Sequence, residues 1–118
     1  MRTLTELAKT GHLGATLAIE VFCYRLAQSL AAMSCALPQF TGIIFTGGIG
    51  ENSAEIRTKT LALLPHFNLH IDDAKNQKMI RGAGGRIDQG TEPGRQIWVI
   101  PTDEEGQIAQ ETRGVLGL

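Results

Sequence analysis

The sequence predicts an α/β layered fold, and three observations carry that expectation. Two short uncharged runs rich in β-branched and aromatic residues, at 41–46 and 96–100, read as strands buried on both faces of a sheet. Each passes at its C-terminal end straight into residues that open a helix, as in layered α/β proteins. Ahead of them Ile19, Cys23, Leu26, Leu30, Met33 and Leu37 alternate spacings of four and three, the stripe of a helix buried along one face. Ligands of such sheets bind beyond the carboxyl ends of the strands. With the two strands predicted parallel, residues 47–52 and 102–105 share one edge.

In chain order, residues 4–9 predict a short helix ended by Gly11, a residue suited to a helix terminus. Residues 13–37 predict one long helix closed by Pro38, because the residue before a proline is pushed out of the helical region. The strand at 41–46 runs into Gly47-Gly48-Ile49-Gly50, and a helix follows at 51–64 with Asn52 or Ser53 as N-cap, Glu55 in its first turn and Pro65 as its stop. Residues 68–71 offer a short strand, and Asp72 or Asp73 a cap for a helix through Met79. The Gly-rich polar stretch 81–91 reads as a loop. After the strand at 96–100, closed by Pro101, Thr102 and Glu105 have the spacing of a capping box that opens a last helix with Ile108 and Val115 turned inward. Trp98 is expected to fill core beside its strand.

Composition narrows the function classes. At 118 residues with a hydrophobic fraction of 42%, the chain is bounded at one domain that buries about 60–70% of its unfolded surface. Eleven basic against twelve acidic residues give a net charge of −1, which excludes the electrostatic footprint of a nucleic-acid or anionic-membrane binder. Met1-Arg2-Thr3 lacks the pattern of a secretory signal, and the apolar window 11–37 contains Glu20, Arg25 and Gln28, against a membrane span. Cys23 and Cys35 fall on one predicted helix about 18 Å apart. That distance is beyond the reach of a disulfide. Their spacing fits no zinc pattern, so both are expected to be small buried thiols of a reducing, cytoplasmic compartment.

Residue types at the predicted sheet edge point to an anion. Gly47-Gly48-Ile49-Gly50-Glu51-Asn52 joins a buried strand to a helix start, where free backbone N–H groups favour a phosphate or a close-lying nucleotide and glycine permits close approach. The segment lacks the Lys-Ser/Thr of a Walker loop and the spacing of the dinucleotide fingerprint. On physics alone a tight turn accounts for it equally well. Asp103-Glu104-Glu105 opens the last helix, where acids complement the helix dipole. With Glu105 assigned to the capping box, Asp103 and Glu104 are the candidates for a magnesium ion. Arg2 by itself reads as a solvated cation, and His12, His66 and His70 as scattered surface histidines.

A family resemblance sharpens this reading. Ile44-Phe45-Thr46-Gly47-Gly48-Ile49-Gly50-Glu51-Asn52-Ser53, with Ile56-Arg57 after it, closely resembles the phosphate-and-adenosine motif of the acetate kinases. Val99-Ile100-Pro101-Thr102-Asp103-Glu104-Glu105, with Ile108-Ala109, resembles that family's C-terminal magnesium-site segment, and residues 17–26 its long helix. The resemblance implies an incomplete C-terminal half of an actin-like (ribonuclease H-like) kinase domain, with parallel strands flanked by helices, spanning residues 1–118. It implies transfer of the γ-phosphoryl group of ATP to acetate, giving acetyl phosphate and ADP, with magnesium. By carry-over Gly48, Ile49, Gly50, Glu51 and Asn52 would line the nucleotide, and Glu104 would be the magnesium-site carboxylate. Met1-Arg2 resembles the end of the family's Asp-x-Arg motif, which would set Arg2 against the ADP phosphates. The family's amino-terminal domain, acetate pocket and catalytic groups would then lie upstream, so no catalytic residue is expected here and the chain alone is expected to be inactive. A homodimer is the expected assembly. Propionate kinases share these motifs, and a non-catalytic nucleotide-binding or interaction module is the remaining alternative.

Overall fold

The computed structural model describes residues 1–90 and 95–118. In order these form α1 (Arg2–Lys9), α2 (Leu13–Ser34), β1 (Gly42–Phe45), α3 (Gly47–Asn52), α4 (Ala54–Ala62), a 3-10 turn (Pro65–Phe67), α5 (Asp73–Lys78), β2 (Gly85–Arg86), β3 (Gln96–Val99) and α6 (Glu104–Leu116). The α/β class stands, and β1 pairs with β3 in parallel, Ile43 opposite Ile97 and Phe45 opposite Val99. The sheet is nonetheless mixed, because β2 joins the far side of β3 antiparallel. β2 lies inside the stretch read as a loop; a two-residue strand that follows Gly84 and itself begins with glycine has no periodicity to betray it. Thr91, at the end of that stretch, lies outside the described residues. The strand expected at 68–71 reduces to a single bridge between Ile71 and Asp88.

One face of the sheet makes the core. Ile43, Phe45, Ile97 and Val99 pack with Leu61, Leu69 and Ile87, while a second cluster joins Ile19, Cys23 and Ile56 with Met1, Leu4 and Ile49 at its margin. The other face is open: Ile44 is 59% exposed, and Trp98 lies at the surface with its indole N–H donating to Gln96 Oε1 at 2.8 Å. The strands are thus covered on one face, correcting the expectation of two, and Trp98 does not fill core. An uncharged β-branched run looks the same in sequence whether or not this chain covers its second face.

Helix ends follow local chemistry. His12 Nδ1 accepts the Ala15 N–H and starts α2. Beyond Ser34 the chain tightens into i to i+3 hydrogen bonds through Leu37 before Pro38, so the regular helix ends earlier than expected. Its buried line is Ala15, Ile19, Cys23 and Ala27, each four residues from the next, whereas Met33 and Leu37 are exposed. Cys35 is exposed as well, against the expectation of a buried thiol. The single helix expected at 51–64 is divided by Ser53, whose Oγ accepts the Ile56 N–H and caps α4, so the glycine segment is itself the short helix α3. Asp72 caps α5.

At α6 the N-cap is Asp103, its Oδ1 accepting the Gly106 N–H at 3.0 Å. The Thr102–Glu105 capping box does not form, because Thr102 is engaged elsewhere. Ile108 and Val115, expected inward, are exposed, and α6 buries no residue. The Cα radius of gyration of 16.5 Å exceeds the roughly 13.5 Å of a compact chain of this length, as an open arrangement requires. Among the described residues no helix is long and apolar enough to cross a membrane.

Candidate functional site

The site is built where β1 and β3 end. The backbone leaves β1 through Gly47 at φ +72°, a left-handed turn that glycine adopts without strain, and turns directly into α3. Glu51 on α3 is buried, and its Oε1 accepts from Gly47 N–H, Thr102 N–H and Thr102 Oγ1, each at 2.8 Å. The bonds from Thr102, its backbone N–H foremost, hold the carboxyl below the usual carboxylate range. One carboxylate oxygen therefore joins the carboxyl ends of the two parallel strands, and the expected shared edge is present.

A second fastening lies one helical turn on. Arg57 is fully buried and, among the described residues, pairs with no carboxylate. Its Nε donates to Asn76 Oδ1 at 2.7 Å, Nη1 to the Gly50 carbonyl at 2.6 Å, and Nη2 to the carbonyls of Asn76 at 2.8 Å and Met79 at 3.0 Å. Those carbonyls stand at or near the C-terminal ends of α3 and α5, where unsatisfied C=O groups are the natural partners of a cation. Burial pushes the Arg57 pKa down, but a guanidinium stays charged. Asn76, itself fully buried, extends the network by donating to the Ala54 carbonyl and Thr58 Oγ1.

These fastenings shape a cleft of about 630 Å³ between α1 and α3. Arg2, Thr5, Glu6 and Lys9 form its α1 wall, Gly48, Ile49, Asn52 and Ser53 the opposite wall, and Arg81 also lines it. Three cations against one carboxylate suit an anionic ligand. Asn52 Nδ2 donates to the Gly48 carbonyl at 3.0 Å, and its Oδ1 accepts the Arg81 N–H at 2.8 Å.

Of the residues singled out in the sequence, Arg2, Gly48, Ile49 and Asn52 meet on this cleft although Arg2 is far from the others along the chain. Gly50 and Glu51 turn toward the interior, where the Gly50 carbonyl receives Arg57 and the Glu51 carboxylate receives Thr102. Glu104 is the exposed first residue of α6, off the lining of the cleft, and Asp103 is occupied as the cap. Among the described residues no group of three or more His, Cys, Asp and Glu converges. A magnesium ion needs only one or two carboxylates when water and phosphate complete its shell, and Glu104 is an exposed carboxylate of the type that supplies one. The three histidines are exposed, as expected. Lys9, Arg81 and the Arg57–Asn76 pair were not foreseen. Only Arg57 carried a signal, its place in the family motif.

A model of the acetokinase family matches residues 1–110. The acetate kinase of Pseudomonas aeruginosa (strain UCBPP-PA14) is 57% identical over 116 residues, covering 98% of this chain and 29% of the relative. The acetate kinase of Deinococcus radiodurans is 47% identical over 118 residues, covering 99% and 29%. Among solved structures, a propionate kinase from Francisella tularensis superposes with a TM-score of 0.81 at 36% identity, covering 93% of this chain and 27% of that one. The acetate kinase of Entamoeba histolytica superposes with a TM-score of 0.85 at 19% identity, covering 99% and 30%, a likeness of fold alone. The chain spans about 29% of the length of the curated relatives it matches.

Proposed function

The chain belongs to the acetokinase family, and from that premise we propose that these residues form the nucleotide-holding part of an acetate kinase, which transfers the γ-phosphoryl group of ATP to acetate to give acetyl phosphate and ADP. The observation that carries the reading is the convergence of Arg2 with Gly48, Ile49 and Asn52 on one cleft whose remaining cations are Lys9 and Arg81. Polyphosphate is the ligand such a lining favours, and the glycine wall admits a nucleotide at close range.

In this reading Arg2 holds the nucleotide phosphates, and Gly48, Ile49 and Asn52 line the nucleotide. Gly50 and Glu51 hold the wall in place from behind. Glu104 would hold the magnesium ion as its carboxylate donor, and the ion would offset the charge of the nucleotide phosphates there. Phosphoryl transfer depends on positioning and charge stabilisation, so the activity requires the remainder of a full-length kinase and these 118 residues alone do not catalyse it. We place the enzyme in the cytoplasm as a homodimer. Propionate is the second acceptor to consider, because a propionate kinase is among the solved structures this chain resembles at 36% identity.

The test is an acetyl phosphate assay with ATP, magnesium and either acetate or propionate, on the chain alone and mixed with a separately expressed amino-terminal acetate kinase domain. Activity in the mixture alone, lost in Glu104→Ala, is the expected result. Activity of the chain by itself would overturn the division of labour. Silence in a mixture shown to associate would favour a binding module.

A further inference from the structure

Arg81 counts above only as one of the charges lining the cleft, yet its backbone is held in an unusual state on the cleft wall. Arg81 adopts φ +54°, the left-handed region that non-glycine residues rarely occupy, and Gly82 follows at φ +83°. Such a conformation persists only where its surroundings over-determine it. Here two tertiary contacts do so. Asn52 Oδ1 accepts the Arg81 N–H at 2.8 Å, and Arg57 Nη2 donates to the Met79 carbonyl two residues earlier at 3.0 Å. The same guanidinium holds the Gly50 carbonyl, so the left-handed turn and the glycine wall are fastened together.

The Arg81 side chain is treated differently from its backbone. Among the described residues its guanidinium enters no ion pair and no side-chain hydrogen bond, and it is exposed on a cleft that already holds Arg2 and Lys9. Asn52, also exposed, is the reverse case, with both polar ends of its side chain engaged by backbone groups of the protein. If position 81 served the turn alone, glycine would satisfy it without strain. A strained backbone that presents a free guanidinium to a cationic cleft is the signature of a pre-organised anion contact.

We propose that Arg81 binds the phosphate-bearing end of the nucleotide, and that Asn52, besides lining the nucleotide, positions Arg81 through its backbone. The proposal rests on the nucleotide reading above and adds a binding residue to it. Arginine suits the role because its planar fork meets a phosphate with two parallel hydrogen bonds.

Calorimetric titration of the 118-residue chain with ADP plus magnesium, and separately with adenosine, tests it. Arg81→Ala is expected to weaken ADP about tenfold or more while leaving adenosine unchanged, since one charge-assisted contact is lost. Arg81→Gly is expected to bind ADP as poorly as Arg81→Ala while melting higher than it, because glycine relieves the left-handed backbone. Asn52→Ala is expected to weaken ADP as well, and the Asn52→Ala/Arg81→Ala double variant by clearly less than the two single losses combined; fully additive losses would mean that Asn52 does not act through Arg81. If Arg81→Ala holds ADP within twofold of the unaltered chain, or loses ADP and adenosine equally, Arg81 does not read phosphate while the nucleotide reading stands. If the unaltered chain takes up neither ligand, the nucleotide reading itself fails and this proposal with it.

Discussion

Replacing Arg57 with alanine is the perturbation whose cost the structure fixes most closely. The change removes four hydrogen bonds from a charged donor and strands their acceptors in the interior: Asn76 Oδ1 and the carbonyls of Gly50, Asn76 and Met79. Each charge-assisted bond contributes roughly 1.5–3 kcal/mol, a gross loss of at least about 6 kcal/mol. Against this stands the desolvation of a buried cation, several kcal/mol, which the variant no longer bears. The net expectation is about 3–5 kcal/mol, a large share of the roughly 5–15 kcal/mol that stabilises an ordinary domain. With a urea slope of about 2 kcal/mol per molar, the unfolding midpoint falls by about 2 M. Arg57→Lys keeps the charge but not the fork, and is expected to recover less than half of the loss. Hydrogen exchange should quicken most at the amides of residues 47–53 and 79–82, which the guanidinium joins. A midpoint lowered by less than about 0.5 M at unchanged slope, or exchange quickening evenly over the molecule, would refute the claim that Arg57 fastens the two walls.

Other outcomes follow from single contacts. Thr60 Oγ1 is buried among the described residues with only the weakly hydrogen-bonding Cys23 thiol beside it, so the isosteric Thr60→Val is expected to raise stability by up to about 1 kcal/mol in urea unfolding; a loss would mean that the contact to the thiol outweighs the burial of the hydroxyl. Asp88 accepts from Arg86 Nε and Nη2 and from the backbone N–H groups of Gly90 and Ile97, and the Arg86 bonds, with these N–H groups, hold its carboxyl at about 2. Because the folded value lies below the ordinary 3.8, this stability is present above about pH 4 and is lost as pH falls through 2, up to about 2 kcal/mol. Asp88→Asn is expected to flatten that part of the acid-unfolding profile, and an unchanged profile would contradict it. A Cβ at Gly42 would run into the Gln96 carbonyl on β3, so Gly42→Ala is expected to cost about 2 kcal/mol and about 8 °C of melting temperature, read by calorimetry. A melting point kept within about 2 °C would show that the β1–β3 register yields.

What the sequence determined by itself was local chemistry that repeats along a chain. The β-branched runs around Ile43–Phe45 and Ile97–Val99 form strands, Ser53 and Asp72 cap their helices, and no α-helix runs through Pro38 or Pro65, all effects that act within a few residues. The parallel pairing followed as well, because two strands that each feed a helix pack most readily side by side in one direction. Tertiary structure decided the rest by choosing partners across the chain. Thr102 had the spacing of a capping box, but it meets the Glu51 carboxylate from 51 residues away, and Asp103 takes the cap instead. Arg81 carried no local signal, because its left-handed backbone is fixed by an asparagine 29 residues earlier. Ile44, Trp98, Ile108 and Val115 read as core because apolar side chains are ordinarily buried, and they are exposed because none of the described residues covers that sheet face or α6. Burial depends on which surfaces meet, and that is settled only when the whole set of elements is in place.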